Sequence, residues 1–298
     1  MRRLVLGTGA IAMAVAIGFT VLTGWPIGAM PSSELYNLTG DVSRGAYLAR
    51  ASGCIACHTN AEGGSPLAGG VELNTPFGTL FSPNLTTDKE HGIGDWNVEQ
   101  FAVAVRQGIS PEGQPYYPAF TYPFYADFTD QDIVDLWSAF QTVPPVDAPS
   151  RQPEMAFPFN QRAALKLWRG LYQFDPQTEP VEGKSDAWNR GRWLVEGATH
   201  CAACHTTRNL LGGRKIDTAK FAGSDMLPGG GKAPPIDTDT LAERGWDAGS
   251  LAYALQTGIT PSGDAFGNAM GEVVLFGTQF LSTDDLAAMA EYLMDLPN

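Results

Sequence analysis

All four cysteines of this 298-residue chain fall in two CxxCH motifs, CIACH at Cys54–His58 and CAACH at Cys201–His205. On a helical turn this spacing sets two sulfurs on one side and follows them at once with an imidazole. Such sulfurs can add to the two vinyl groups of a porphyrin, and the histidine then projects beneath the ring, where a ring nitrogen reaches the iron. A CxxC pair alone also suits zinc or thiol–disulfide exchange. Here every cysteine belongs to a complete motif, and the motifs occupy equivalent places in a repeat. That pattern predicts two covalently bound c-type haems, held by Cys54, Cys57, Cys201 and Cys204, with His58 and His205 as proximal ligands.

The repeat is long: residues 41–145 and 184–298 are two versions of one unit. Arg44-Gly45 followed by Tyr47-Leu48 leads to Cys54, and Arg190-Gly191 followed by Trp193-Leu194 leads to Cys201, each an apolar-spaced helix running into the motif. Trp96 to Gly108 and Trp246 to Gly258 predict an amphipathic helix stopped by glycine, followed by GISPEG in one copy and GITPSG in the other. Each copy closes on a capped helix, opened by Thr129-Asp130-Gln131-Asp132 or by Ser282-Thr283-Asp284-Asp285. Between them, residues 146–183 form a Pro-rich bridge with a helix pattern from Asn160 to Tyr172. Its Leu165, Leu167 and Trp168 make it too apolar for a floppy tether, so it is expected to pack between the units.

The sixth iron ligand separates the copies. A distal methionine raises the potential and closes the iron to small molecules. In the second unit Met270 is the candidate, 69 residues after Cys201 on the glycine-rich stretch GNAMGEVV, expected as a loop between two helices. Met270 lies seven residues after Gly263, and seven residues after Gly113 stands Phe120; no methionine occurs from residue 31 to residue 154. Three readings stay open for the first iron. His91, in TTDKEHGIGDW, supplies the ligand; or the site is five-coordinate with Phe120 and Phe128 packed over it; or Met155 reaches in from the bridge. His200, next to Cys201, is expected on the surface.

Residues Leu4 to Trp25 carry no charge and follow Arg2-Arg3, which reads as an export signal or a membrane anchor over residues 1–29. Twenty-two uncharged residues reach spanning length, and the Arg pair places the N-terminus in the cytoplasm, so an uncleaved anchor with the rest of the chain on the periplasmic face is favoured; Ile27-Gly28-Ala29 is a weak cleavage site. A net charge of −13 argues against nucleic acid as a partner and suits either solubility or a basic redox carrier. Gly 34 and Pro 21 point to short elements on turn-rich loops. No GxGxxG opens a strand–helix unit, so no nicotinamide or flavin site is expected.

Taken together, RGAYLA, TPFGTLFSPNLTTDKEHGIGDW, YYPAF, FPFNQR with Trp168, CAACHTTRNLLG, MGEVV and DLAAMAEYL resemble the membrane-associated multi-haem cytochrome c subunits of periplasmic dehydrogenases acting on alcohols, gluconate, fructose, aldehydes or nicotinate. The likeness covers nearly the whole chain after residue 40. It implies an all-α protein of two tandem class I cytochrome c domains with long loops, taking electrons from a dehydrogenase subunit and passing them to quinone, a small cytochrome or an oxidase. The chain itself is then an electron carrier and not an enzyme. Two departures stand out. Many relatives have three haem motifs where this chain has two, and relatives place a methionine where Phe120 or Phe128 stands. The rival expectation is a haem enzyme or gas-binding protein working through an open first haem.

Overall fold

The computed structural model describes residues 32–296. The expected anchor or signal at 1–29 lies outside them, and among the described residues no helix is long and apolar enough to cross a membrane.

After a 3-10 turn at Ser33–Asn37, the first half runs α1 (Val42–Ala51), α2 (Cys54–His58), a hairpin of β1 (Glu72–Thr75) and β2 (Gly78–Phe81), α3 (Val98–Gln107) and α4 (Asp130–Phe140). The bridge contributes β3 (Glu154–Met155) and α5 (Ala164–Tyr172). The second half has α6 (Asp186–Trp193), α7 (Ala202–His205), α8 (Ile216–Ala219), α9 (Thr238–Glu243), α10 (Ala248–Thr257), α11 (Asn268–Phe276) and α12 (Thr283–Leu293). The fold is mainly helical, as expected. It departs from all-α in a three-stranded antiparallel sheet, in which Glu72 pairs with Phe81 across the hairpin and Gly78 with Met155 of the bridge.

Local chemistry explains the equivalent helices. Asn97 and Asp247 form capping boxes with Gln100 and Ser250 at the starts of α3 and α10, and both helices end on a glycine in the left-handed region, Gly108 and Gly258. Thr129 and Ser282 cap α4 and α12 by accepting from the backbone of Asp132 and Asp285.

In each half the first helix crosses the last. α1 packs on α4 and α6 on α12. The crossing is close because a glycine sits at it: a Cβ on Gly45 or Gly191 would lie 1.9 Å from the carbonyl oxygen of Asp135 or Ala288, the equivalent residue of the facing helix. Around it Leu48, Ile133 and Leu136, or Leu194, Leu286 and Met289, are buried, each contributing about 1.5–3 kcal/mol of apolar burial. An ion pair spans both crossings. Arg44 binds Asp132 and Asp135, and Arg190 binds Asp285 at 2.8 Å.

The halves meet through corresponding surfaces. Tyr47 Oη donates to Asp285 at 2.6 Å and accepts from the Ser282 amide, while Trp193, at the position of Tyr47, stacks on Phe128 with 5.6 Å between centroids. The segment Tyr122–Tyr125 lies against Leu194–Ala198, and Thr278–Phe280 lies against α1. The bridge touches both sides: Arg169 donates to the carbonyls of Gln107 and Gly108, and Trp168 donates to that of Leu211.

Candidate functional site

Helices α1 and α6 each deliver a CxxCH turn. Ten residues separate Arg44 from Cys54 but eleven separate Arg190 from Cys201. The extra residue is absorbed as a π turn at Leu194–Ala198, where the Thr199 amide donates to Leu194 at 2.7 Å. Gly53 and His200, which precede the two motifs, both have positive φ, +68° and +41°. His200 is not on the surface as expected. Its Nε2 lies 3.3 Å from the Ser52 carbonyl of the other half, beside the rings of Phe124 and Tyr125, and Tyr125 Oη donates to the same carbonyl at 2.7 Å. Burial lowers the His200 pKa to about 4.

The two motif histidines are held alike. His58 Nδ1 donates to the Pro83 carbonyl at 2.8 Å, and His205 Nδ1 to that of Pro234 at 2.7 Å. This fixes the tautomer and leaves Nε2 as the lone-pair nitrogen, the arrangement an iron-ligating imidazole requires. Burial lowers the His58 pKa to about 4 and that of His205 in the same direction, so both rings are neutral at physiological pH.

All four cysteines are unpaired. Burial pushes Cys54 up to about 12 and Cys201 up to about 11. Thiols raised in this way are the reverse of the low-pKa thiolates of dithiol redox sites. Among the described residues no group of three or more His, Cys, Asp or Glu side chains is placed to hold a metal ion. Thioether attachment to a porphyrin fits this donor set.

The residues expected near the irons' other face are scattered differently in the two halves. Met270 is partly buried against the core, in the first turn of α11 rather than on a loop, because Gly267 and Asn268 begin a helix within the glycine-rich stretch. α11 also packs on α2, so the element carrying Met270 lies against the first attachment motif. Phe120 sits in an aromatic group with Tyr116, Tyr122 and Tyr125, at 5.8–6.1 Å between centroids. Phe128 is drawn to Trp193 at the contact between halves. His91 has Nε2 3.3 Å from the Asp147 carboxylate, and Met155 is placed in β3 opposite Gly78.

Several neighbours escaped the sequence reading. Pro83 and Pro234 act through a carbonyl, which no side-chain pattern announces, although both follow their histidine at a similar interval within the repeat. Arg208 and Arg214 both donate to the Ala203 carbonyl, inside CAACH, at 2.7 and 3.1 Å. Burial lowers the Arg214 pKa to about 9, with Arg208 adding to the shift, and it remains a cation at neutral pH.

Comparison with known proteins agrees with this construction. The cytochrome c family model matches residues 42–138. A diheme cytochrome c-type protein of Cereibacter sphaeroides is 39% identical over 99% of this chain and 98% of its own length. The fructose dehydrogenase cytochrome subunit of Gluconobacter japonicus and the gluconate 2-dehydrogenase cytochrome c subunit of Pantoea cypripedii are each 39% identical over 86% of this chain. The chain spans 52% and 59% of the length of those two subunits. With its paired CxxCH turns, the proline-held histidines and a full-length relative of this kind, the chain belongs to the c-type cytochromes.

Proposed function

We propose that the protein is a di-haem electron relay, two class I cytochrome c domains in tandem, which takes electrons from a dehydrogenase subunit and passes them to a quinone, a small cytochrome or an oxidase of the respiratory chain. The observation that carries this reading is the duplicated site, in which a CxxCH turn and a proline carbonyl frame one neutral imidazole in each half. A haem c in each would supply a one-electron ferric/ferrous couple. Cys54 and Cys57, or Cys201 and Cys204, would hold it through thioethers, and Nε2 of His58 or His205 would ligate its iron.

By its place in the repeat Met270 would be the second ligand for the iron of the second haem, although its helix packs on the first motif. The first half has no methionine of its own from residue 31 to 145, and the His91 imidazole is engaged by Asp147, so the aromatic group around Phe120 would be left to cover its haem. The dehydrogenase partner is supported by the named roles of the fructose and gluconate relatives. None of the relatives compared lends weight to an enzyme or gas sensor built on an open first haem. Placement on the periplasmic side of the inner membrane, held by residues 1–29, is supported by Arg2-Arg3 and the uncharged stretch after them.

The test is to purify the full chain from membranes, count haem per polypeptide, and mix it with a fructose, gluconate or alcohol dehydrogenase catalytic subunit plus substrate. Two haems per chain reduced under turnover is the expected result. A single haem, or no reduction by any such subunit, would count against the relay.

A further inference from the structure

The two attachment motifs differ in the charged side chains packed around them. At the second motif, Arg208 Nη2 and Arg214 Nε converge on one carbonyl, that of Ala203, between the cysteines of CAACH. Arg214 also lies over the Phe124 ring, 5.4 Å from its centroid, at the contact between halves. Neither guanidinium has a carboxylate partner among the described residues, and Arg208 Nε is buried with no hydrogen bond. Glu196, on the turn that leads into this motif, is paired with Lys220 at 2.8 Å. Two uncompensated cations in a low-dielectric contact act strongly on any charge beside them.

The first motif lacks the equivalent of Arg208. Position 61, where Arg208 stands in the repeat, is an alanine, and Arg214 falls in a stretch without a counterpart. α11, the helix that carries Glu272, packs on α2.

Resting on the di-haem reading, we propose that Arg208 and Arg214 make the second haem the higher-potential centre, so that electrons enter the protein at the first haem and leave from the second. Reduction adds one negative charge to a haem, and a fixed cation beside it favours that state. The step is one electron: the first iron goes from ferrous to ferric, the second from ferric to ferrous, and no bond or proton changes hands. Met270 as an axial ligand acts in the same direction, so the test leaves it in place.

Optical redox titration of the purified di-haem protein resolves two one-electron waves. Arg214→Gln is expected to lower the upper wave and leave the lower one, shrinking the partition of the electron between haems by about tenfold, which is about 59 mV for a one-electron couple. Arg214→Lys is expected to restore it. Arg208→Gln acts in the same direction and stands in if Arg214→Gln binds less haem. Glu272 is exposed and screened, so Glu272→Gln raises the lower wave by a smaller amount. An upper wave that stays put in both glutamine variants, or a lower wave that moves as far, overturns the proposal. A wild-type protein with fewer than two haems overturns the di-haem reading instead.

Discussion

Beneath His58, the Gly69 amide donates to the histidine's own carbonyl at 2.8 Å, and Leu85 donates to Leu67, a residue with φ of +60°. Beneath His205, Gly223 and Ile236 repeat both bonds, with Phe221 at the same φ. The two lower faces thus agree down to individual backbone conformations, although the loops between histidine and proline differ in length. The residues proposed for the upper faces do not agree: Met270 stands on a helix in one half and Phe120 among tyrosines in the other. The histidine-holding framework is thus the part the two copies share, and the proposed upper faces are the part in which they diverge.

The largest test of this contrast removes one site at a time. Cys54→Ser with Cys57→Ser, or Cys201→Ser with Cys204→Ser, is expected to leave one haem per chain, read from the haem absorbance of denatured protein. Loss of both haems from either pair would show that the lower faces do not load independently.

Exchange of the distal residues comes next. Met270→Leu is expected to open the second iron to carbon monoxide in the ferrous state, and Phe120→Met to close the first; spectra with and without carbon monoxide report both. If Phe120→Met leaves the first site unchanged, the phenylalanine is not the structural equivalent of the methionine.

At the helix crossings the halves should respond alike. Gly45→Leu and Gly191→Leu are each expected to cost about 3 kcal/mol, the upper end of overpacking penalties, because the Cβ meets backbone that cannot yield. Denaturant midpoints measure it, and a loss at one crossing only would break the equivalence.

The ion pairs give a gentler, pH-dependent comparison. Burial alone would raise the Asp285 pKa, but the hydrogen bonds from Arg190 and Tyr47 outweigh it and hold the carboxyl below its ordinary range. The associated stability is therefore present above the unfolded carboxylate range, near pH 4, and is lost as pH falls through the lower folded value. Asp285→Asn should cost about 1.5–3 kcal/mol at neutral pH and remove that part of the acid dependence. The part owed to Asp135, lowered in the same direction by its bonds to Asp41 and Arg44, should persist. The smallest change is Tyr47→Phe, about 1 kcal/mol by thermal unfolding, since it removes a bond between halves and leaves each crossing intact.

Helix starts and stops were legible in the sequence because capping boxes and left-handed glycines are decided within four residues. The two CxxCH turns, the proposed haem attachment sites, were legible because that chemistry demands adjacency. The β1–β2 hairpin was not, since TPFGTLF is short and takes its third strand from the bridge, nearly eighty residues on. His200 was misplaced for a related reason: one inserted residue turns the end of α6 into a π turn and swings the next side chain into the other half. Arg208 and Arg214 look like ordinary surface charges in a polar loop, and only the fold turns both onto the Ala203 carbonyl and lays Arg214 over Phe124 of the other half.

The contact between halves has a consequence for assembly. Tyr47 reaches Ser282 and Asp285, and its counterpart Trp193 reaches Phe128, so each half offers the same region and receives the same region in return. A surface that satisfies both roles at once is the isologous interface of a two-fold dimer. Within one chain, positions that correspond in the repeat thus face one another across the contact, the pairing that a two-fold axis would impose on two separate chains.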